Sequence, residues 1–239
     1  MRKILLSLAV ITALAGAAPA AAQSVDDIVA KNFKAKGGDK WKAVQAMRMT
    51  ARITLQGMEL PMTIVSKRPS MMRQDMTFQG VSIVQAYDGT TAWTVNPMMG
   101  SDQATELPAA AAASMKEQAD FDGPLVDYKA KGNTVDLVGN EDLNGAKVHH
   151  LKLTRKDGKV THYYIDAATG VEAKVVSEAD LGTGPMTIDT ELSNYQTVDG
   201  IMVPMTIKQN SPGGAVTITV EKVEFNPSID DKIFRMPGK

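Results

Sequence analysis

The strongest constraint on this chain is the recurrence of tight-turn pairs between runs of alternating polarity. Gln79-Gly80, Asn144-Gly145, Asp157-Gly158, Thr169-Gly170, Asp199-Gly200 and Pro212-Gly213-Gly214 each reverse the chain, and Gly182-Thr183-Gly184 adds another break. Glycine and amide or carboxylate residues tolerate the positive φ of such turns. The runs between them have period two, so neighbouring strands run antiparallel and pair in sequence order. The expected strands lie within 49–96 and at 134–139, 146–155, 159–165, 171–179, 186–195, 201–209 and 215–225, about twelve in all. There is no strand–helix–strand alternation of a parallel sheet.

The turns also set registers. With Gly57-Met58 as a two-residue loop, Leu55 faces Leu60, Ile53 faces Met62 and Ala51 faces Ile64. With Gln79-Gly80 as the next loop, Phe78 faces Val81, Met76 faces Ile83 and Met72 faces Tyr87. The opposite faces carry Thr50, Arg52, Thr54, Thr63, Arg73, Asp75, Thr77 and Ser82. Each hairpin has one apolar and one polar face, as a sheet covered on one side requires. The covers are two helical regions. Ser24 is an N-cap before Val25, Ile28, Val29 and Phe33 at helical spacing, Gly37-Gly38 stops that helix, and Trp41, Val44 and Met47 continue its apolar stripe. After Pro108 an alanine run forms a second helix with Leu107, Ala111 and Met115 on one side. The expected fold is mainly β with α: one highly curved antiparallel sheet or partial barrel, with helices over 24–47 and 106–119 against one face.

Residues 1–22 have the order of an export signal: Arg2-Lys3, an apolar run from Ile4 to Ala15, and Ala20-Ala21-Ala22 before Gln23. The expected mature chain is a single domain over 23–239, located in the periplasm and not a transmembrane protein. Loss of Arg2 and Lys3 leaves 24 basic against 27 acidic side chains over 217 residues, no field for nucleic acid. The absence of cysteine excludes disulfides, thiolate catalysis, Cys-ligated zinc and a lipidated N-terminal cysteine.

His149, His150 and His162 are the main candidates for metal or acid–base chemistry. His149 and His150 point to opposite faces. The Asp157-Gly158 turn is expected to pair Leu153 with His162, Leu151 with Tyr164 and His150 with Ile165. His149 and His162 then share a face about 14 Å apart, too far for a common ligand. No nucleophile elbow, phosphate loop or dinucleotide fingerprint is present, so no catalytic residue, metal or cofactor is assigned. The acidic pairs Asp26-Asp27, Glu141-Asp142 and Asp230-Asp231 suit helix starts and turns. Methionine is unusually frequent, 15 against 5 phenylalanines, and concentrates between Met47 and Met115. Such adaptable side chains suit a surface that repacks around varied apolar ligands.

Val65-Ser-Lys67-Arg68-Pro69-Ser-Met71-Met72 and Ala86-Tyr-Asp88-Gly89-Thr-Thr-Ala-Trp93-Thr-Val-Asn96-Pro97 resemble the landmarks of the periplasmic lipoprotein carriers of the LolA type and the broader outer-membrane lipoprotein-sorting proteins. The helix before Gly37-Gly38 and Trp41, and the ending from Asn226-Pro to Phe234 and Pro237, are similar to the wider family. The resemblance implies an open half-barrel of roughly eleven strands. It also implies a concave face covered by helices and a cavity for acyl chains of lipoproteins, collected from an inner-membrane transporter and passed to an outer-membrane acceptor. The implied cavity residues are Ile53, Leu55, Leu60, Met62, Ile64, Met72, Met76, Phe78, Ile83, Tyr87 and Trp93. Met72 stands where the carriers have an aromatic residue. By the same resemblance Arg68 holds the lid shut, with Leu107, Ala111 and Met115 on the lid, and Arg68→Leu is expected to change cargo retention with little effect on stability. The implied activity is carriage without catalysis by a monomer, with lipid or lipidated protein as cargo. A sensor or interaction domain on the same scaffold, binding a protein partner or mislocalised lipoprotein, is the second reading. A histidine-dependent envelope hydrolase is the third.

Overall fold

Gln56-Gly57, Gln79-Gly80, Asn144-Gly145 and Asp199-Gly200 each have both residues at positive φ. This is the type I′ turn, whose twist matches the two strands it joins. The computed structural model describes residues 23–180 and 184–238; residues 1–22, read above as an expected export signal, and Gly182 and Thr183 lie outside the described residues. The strands are β1 (Ala46–Leu55), β2 (Met58–Lys67), β3 (Met71–Phe78), β4 (Val81–Tyr87), β5 (Ala92–Asn96), β6 (Ser101–Glu106), β7 (Thr134–Leu143), β8 (Ala146–Thr154), β9 (Val160–Asp166), β10 (Glu172–Asp180), β11 (Pro185–Val198), β12 (Ile201–Ser211) and β13 (Gly214–Phe225). They form one antiparallel sheet of thirteen strands, ordered β6-β5-β4-β3-β2-β1-β13-β12-β11-β10-β9-β8-β7. Its edges, β6 and β7, do not pair, so the barrel stays open.

Three helices lie on one face: α1 (Val25–Ala35), α2 (Asp39–Ala43) and α3 (Ala109–Gln118). Ser24 and Asp27 cap α1 reciprocally, Ser24 Oγ accepting from the Asp27 N–H. Buried Asn32 donates from Nδ2 to the Gly170 carbonyl at 2.9 Å, pinning α1 to the β9–β10 turn. Ile28, Leu125 and Tyr128 pack on Leu151, Leu153, Tyr163 and Ile165. Val44, Trp41 and Phe121 pack on Met49, Val203, Val220 and Val223. Met115 and Ala119 pack on Met72, Tyr87 and Ala92.

The curvature follows from α3, which touches both β5 and β10. Those strands are eight places apart in the sheet. On a flat sheet they would be roughly 38 Å apart, whereas ten helical residues span only about 15 Å. The sheet therefore curls around α3, which sits in its opening.

The registers differ from expectation in two places. The first turn is Gln56-Gly57, so Leu55 pairs with Met58, Ile53 with Leu60 and Ala51 with Met62. This slip of two residues preserves the faces. The β8–β9 register is off by one: His150 pairs with Tyr164, Leu151 with Tyr163 and Lys152 with His162. Here the loop is the three residues Lys156-Asp157-Gly158, closed by the Gly158 N–H on the Arg155 carbonyl, with Gly158 at φ 86°. A type I turn ending in a left-handed glycine adds one residue to the loop. The Gln79-Gly80 hairpin has the expected register throughout. The unexpected strand is β6, whose sequence SDQATE has no apolar alternation and pairs on one side only.

Candidate functional site

The helix-bearing face carries two apolar rows running across strands. One crosses β4 to β1 through Ile83, Met76, Met62 and Ala51. The next crosses β2, β1, β13, β12 and β11 through Leu60, Ile53, Ile218, Ile207 and Leu192, roughly 19 Å from end to end. Leu55 and Phe78 extend the same face toward the hairpin tips. Ile64, Met72, Tyr87, Leu107 and Met115 come together against α3. Leu60, Met62, Met72 and Tyr87 are buried, whereas Ile53, Leu55, Met76, Phe78 and Ile83 are only half-buried and belong to none of the packed clusters. The result is an apolar trough whose helix-covered end is packed and whose hairpin end is partly open.

Two of the cavities that border α3 lie against the sheet. One, of about 620 Å³, lies against β4–β6 and is lined by Gln85, Thr94, Leu107, Ala111 and Met115, with Met99 at its rim. The other, of about 400 Å³, lies against β9–β12 and is lined by Thr161, Ser177, Ile188, Thr190 and Gln209. The small side chains of Ala109–Ala113 leave this space beside the helix. Glu117 ties α3 to the β8–β9 hairpin through Lys159, at 2.5 Å, and Arg155, at 3.7 Å.

Arg68, at the end of β2, joins three elements. Its Nε donates to the Val44 carbonyl at 2.7 Å and its Nη2 to the Trp41 carbonyl at 3.3 Å, both at the end of α2. Nη1 and Nη2 form a fork on Asp122 at 2.5 and 2.6 Å, in the segment after α3. The Trp41 indole N–H donates to the same carboxylate at 2.9 Å, and the guanidinium lies 4.5 Å over the Phe121 ring. These hydrogen bonds to Arg68 hold the Asp122 carboxyl below the usual carboxylate range despite partial burial. The partners Trp41, Phe121 and Asp122 were not legible in the sequence, because nothing local links positions 41, 68 and 122.

Trp93 is a correction. The Asp88–Thr91 turn pairs Tyr87 with Ala92, so Trp93 opposes Ala86 on the other face of the sheet. There its Nε1 donates to the Phe234 carbonyl at 2.7 Å, beneath the C-terminal segment, and Arg73 lies 6.0 Å from its ring. Trp93 supports the outer wall of the half-barrel and does not line the trough.

The histidines also differ from expectation. His149 faces the helices, its Nδ1 2.6 Å from Asn140 Oδ1, and its buried Nε2 has no partner. Burial, then the nearby Lys31 charge, lowers its pKa. His150 and His162 share the opposite face and touch. Among the described residues, no group of three or more His, Asp or Glu side chains is arranged to hold a metal. No helix among them is long and apolar enough to cross a membrane.

The geometry defines an open half-barrel with one helix in its mouth and an apolar inner face. By sequence, no family model and no curated protein matches the chain. By structure it is similar to a LolA superfamily protein from Nitrosomonas europaea, with a TM-score of 0.61 at 14% identity over 90% of this chain and 98% of that one. It is also similar to a putative outer membrane lipoprotein-sorting protein domain from Vibrio parahaemolyticus, with a TM-score of 0.58 at 14% identity over 87% and 94% of the two chains. A DUF1329 family protein from Desulfovibrio piger gives a TM-score of 0.60 at 13% identity over 88% and 97%. At these identities the likeness is one of fold: this chain has the LolA-like fold.

Proposed function

We propose that this protein is a non-enzymatic periplasmic carrier, exported with loss of residues 1–22, that binds lipoprotein acyl chains or other lipid in the trough and delivers them toward the outer membrane. The observation that carries this reading is the row Leu60, Ile53, Ile218, Ile207 and Leu192, an apolar strip across five strands that the helices leave partly uncovered. The fold shared with a lipoprotein-sorting domain supports it.

Exposing an acyl chain to water costs about 0.8 kcal/mol per methylene, so a chain of about 15 requires an apolar site worth roughly 12 kcal/mol. A soluble protein cannot leave so large a surface bare without aggregating. On this reading α3 and the segment after it cover the trough when it is empty and move aside as cargo enters. Arg68, bound to α2 and Asp122, biases the covered form. An inner-membrane donor and an outer-membrane acceptor complete the path.

Native mass spectrometry of protein purified from the periplasm without detergent, followed by lipid extraction, tests the proposal. Adducts of acyl-chain mass, lost on denaturation, are expected. A clean mass that stays clean after incubation with lipids and lipopeptides overturns it, and recovery of one regulatory membrane protein in pull-downs would replace it with the sensor reading.

A further inference from the structure

The one-residue shift between β8 and β9 brings together two side chains outside the trough. With His150 opposite Tyr164 and His162 opposite Lys152, the two histidines are diagonal neighbours on the sheet face opposite Leu151 and Tyr163. His150 Nε2 lies 2.8 Å from His162 Nδ1. On its other side, His150 Nδ1 meets Glu141 Oε1 of edge strand β7 at 2.5 Å. Tyr164 stacks on the His150 ring at 4.4 Å. The site is reachable from solvent: the His150 side chain is 11% exposed and Glu141 47%.

We propose that His150 and His162 form a two-histidine binding site for a divalent late transition metal, Cu(II) above Ni(II) and Zn(II), with Glu141 orienting His150. Three features converge. Glu141 accepts the Nδ1 proton of His150, which leaves Nε2 as a bare lone pair turned toward His162; a carboxylate behind the ligand is the usual support of a metal-binding imidazole. Two nitrogens each about 2.05 Å from one ion at a right angle are about 2.9 Å apart, so the present 2.8 Å spacing suits a shared ion once the two rings turn their lone pairs from each other toward a common point. Imidazole suits these metals, and the order of divalent affinities puts Cu(II) first.

In the metal-free chain, the hydrogen bond between the rings requires the His162 proton on Nδ1. Moving it to Nε2 of the same ring frees both facing lone pairs, so neutral rings release no net proton on binding. Water completes the coordination. The charges around the site are mixed: Glu141 favours a cation, Lys152 opposes it, and Lys174 is held by Asp189 at 2.5 Å. The site lies on the sheet face away from the trough, so it stands or falls separately from the carrier reading.

The test uses untagged protein stripped by a chelator and titrated with Cu(II), Ni(II) and Zn(II) by calorimetry, with electron paramagnetic resonance of the Cu(II) form. One ion per chain is expected, with nitrogen coupling from two imidazoles. His150→Ala or His162→Ala should remove the site and that coupling, and Glu141→Gln should weaken binding about tenfold. His149→Gln, on the other face, should bind as wild type. Thermal unfolding of each metal-free variant checks folding, and exposed Glu141 supplies a readout should a histidine variant fail to fold. No binding, or binding and coupling unchanged in the His150 and His162 variants, overturns the proposal.

Discussion

Arg68→Leu removes a hub. The guanidinium makes a two-pronged contact with Asp122 and single hydrogen bonds to the Val44 and Trp41 carbonyls. The side chains of Arg68 and Asp122 are 20% and 27% exposed, so the pair is partly shielded from water. A fully buried pair broken by loss of one partner costs about 3–5 kcal/mol, and an exposed pair at most about 1 kcal/mol. The intermediate burial places Arg68→Leu near 2–3 kcal/mol, more than the small stability effect expected from the sequence. Asp122→Asn keeps the Trp41 contact but removes the charge, and should cost less. The double variant should fall short of the sum, with a coupling of about 1–2 kcal/mol. Urea unfolding of the four proteins at neutral pH measures it. The Asp122 carboxyl titrates lower in the folded than in the unfolded chain, so its contribution is present above the ordinary carboxylate range and lost as pH falls through the lowered value. The coupling should therefore vanish in acid. A coupling below about 0.3 kcal/mol at neutral pH would mean that Arg68 and Asp122 do not act as a pair.

Ile53→Glu puts a charge at the centre of the longer apolar row; lipid adducts in native mass spectrometry should fall by at least about tenfold, while stability drops by about 1–2 kcal/mol because the position is only half-buried. Adducts at wild-type level would remove the trough from the proposed function. Trp93→Phe deletes the hydrogen bond to the Phe234 carbonyl and should cost about 1–2 kcal/mol in urea unfolding, with lipid adducts unchanged because Trp93 faces away from the trough. Burial first lowers the pKa values of both His149 and His162, so the unfolded chain takes up protons from 6.5 downward before the folded chain does. Stability should therefore fall as pH drops below that value, by at most about 1.4 kcal/mol per pH unit for each histidine. His149→Gln should flatten that slope in urea unfolding between about pH 7 and pH 5, and an unchanged slope would exclude His149 as a contributor.

The strands were legible where local chemistry alone decides. Gln79-Gly80 has one favourable loop length, and its hairpin has the expected register along its whole length. Asp157-Gly158 allows a two- or three-residue loop, and because Asp157 does not take the positive φ of a type I′ turn, the longer loop forms with Gly158 as its left-handed last residue. That single residue moved His162 from an isolated position to the side of His150. Strand β6 carried no alternation because an edge strand with a polar sequence needs none. Face assignments along β1–β4 were legible because alternation survives a slip of two residues. Trp93 was not, because its side depends on how the Asp88–Thr91 turn closes. The partners of Arg68 are tertiary: the Lys67-Arg68-Pro69 landmark marks the arginine, but only folding brings Trp41 and Asp122 to it.

The pairing of β1 with β13 has a further consequence. Every other neighbouring pair in the sheet is consecutive along the chain, so β1–β6 and β7–β13 are two meanders that form from near neighbours. Among the strand ladders, only that from Met47–Phe225 to Leu55–Val216 joins distant sequence. Closing it fixes the longest loop of any ladder in the sheet, the costliest closure in chain entropy. The passage from α3 to β7 is the only covalent link between the meanders. A cut there would leave two fragments, each with one side of the seam, for which the intact chain supplies mainly effective concentration. The half-barrel is in this sense a heterodimer written on one chain, and its two parts should be able to find each other after cleavage.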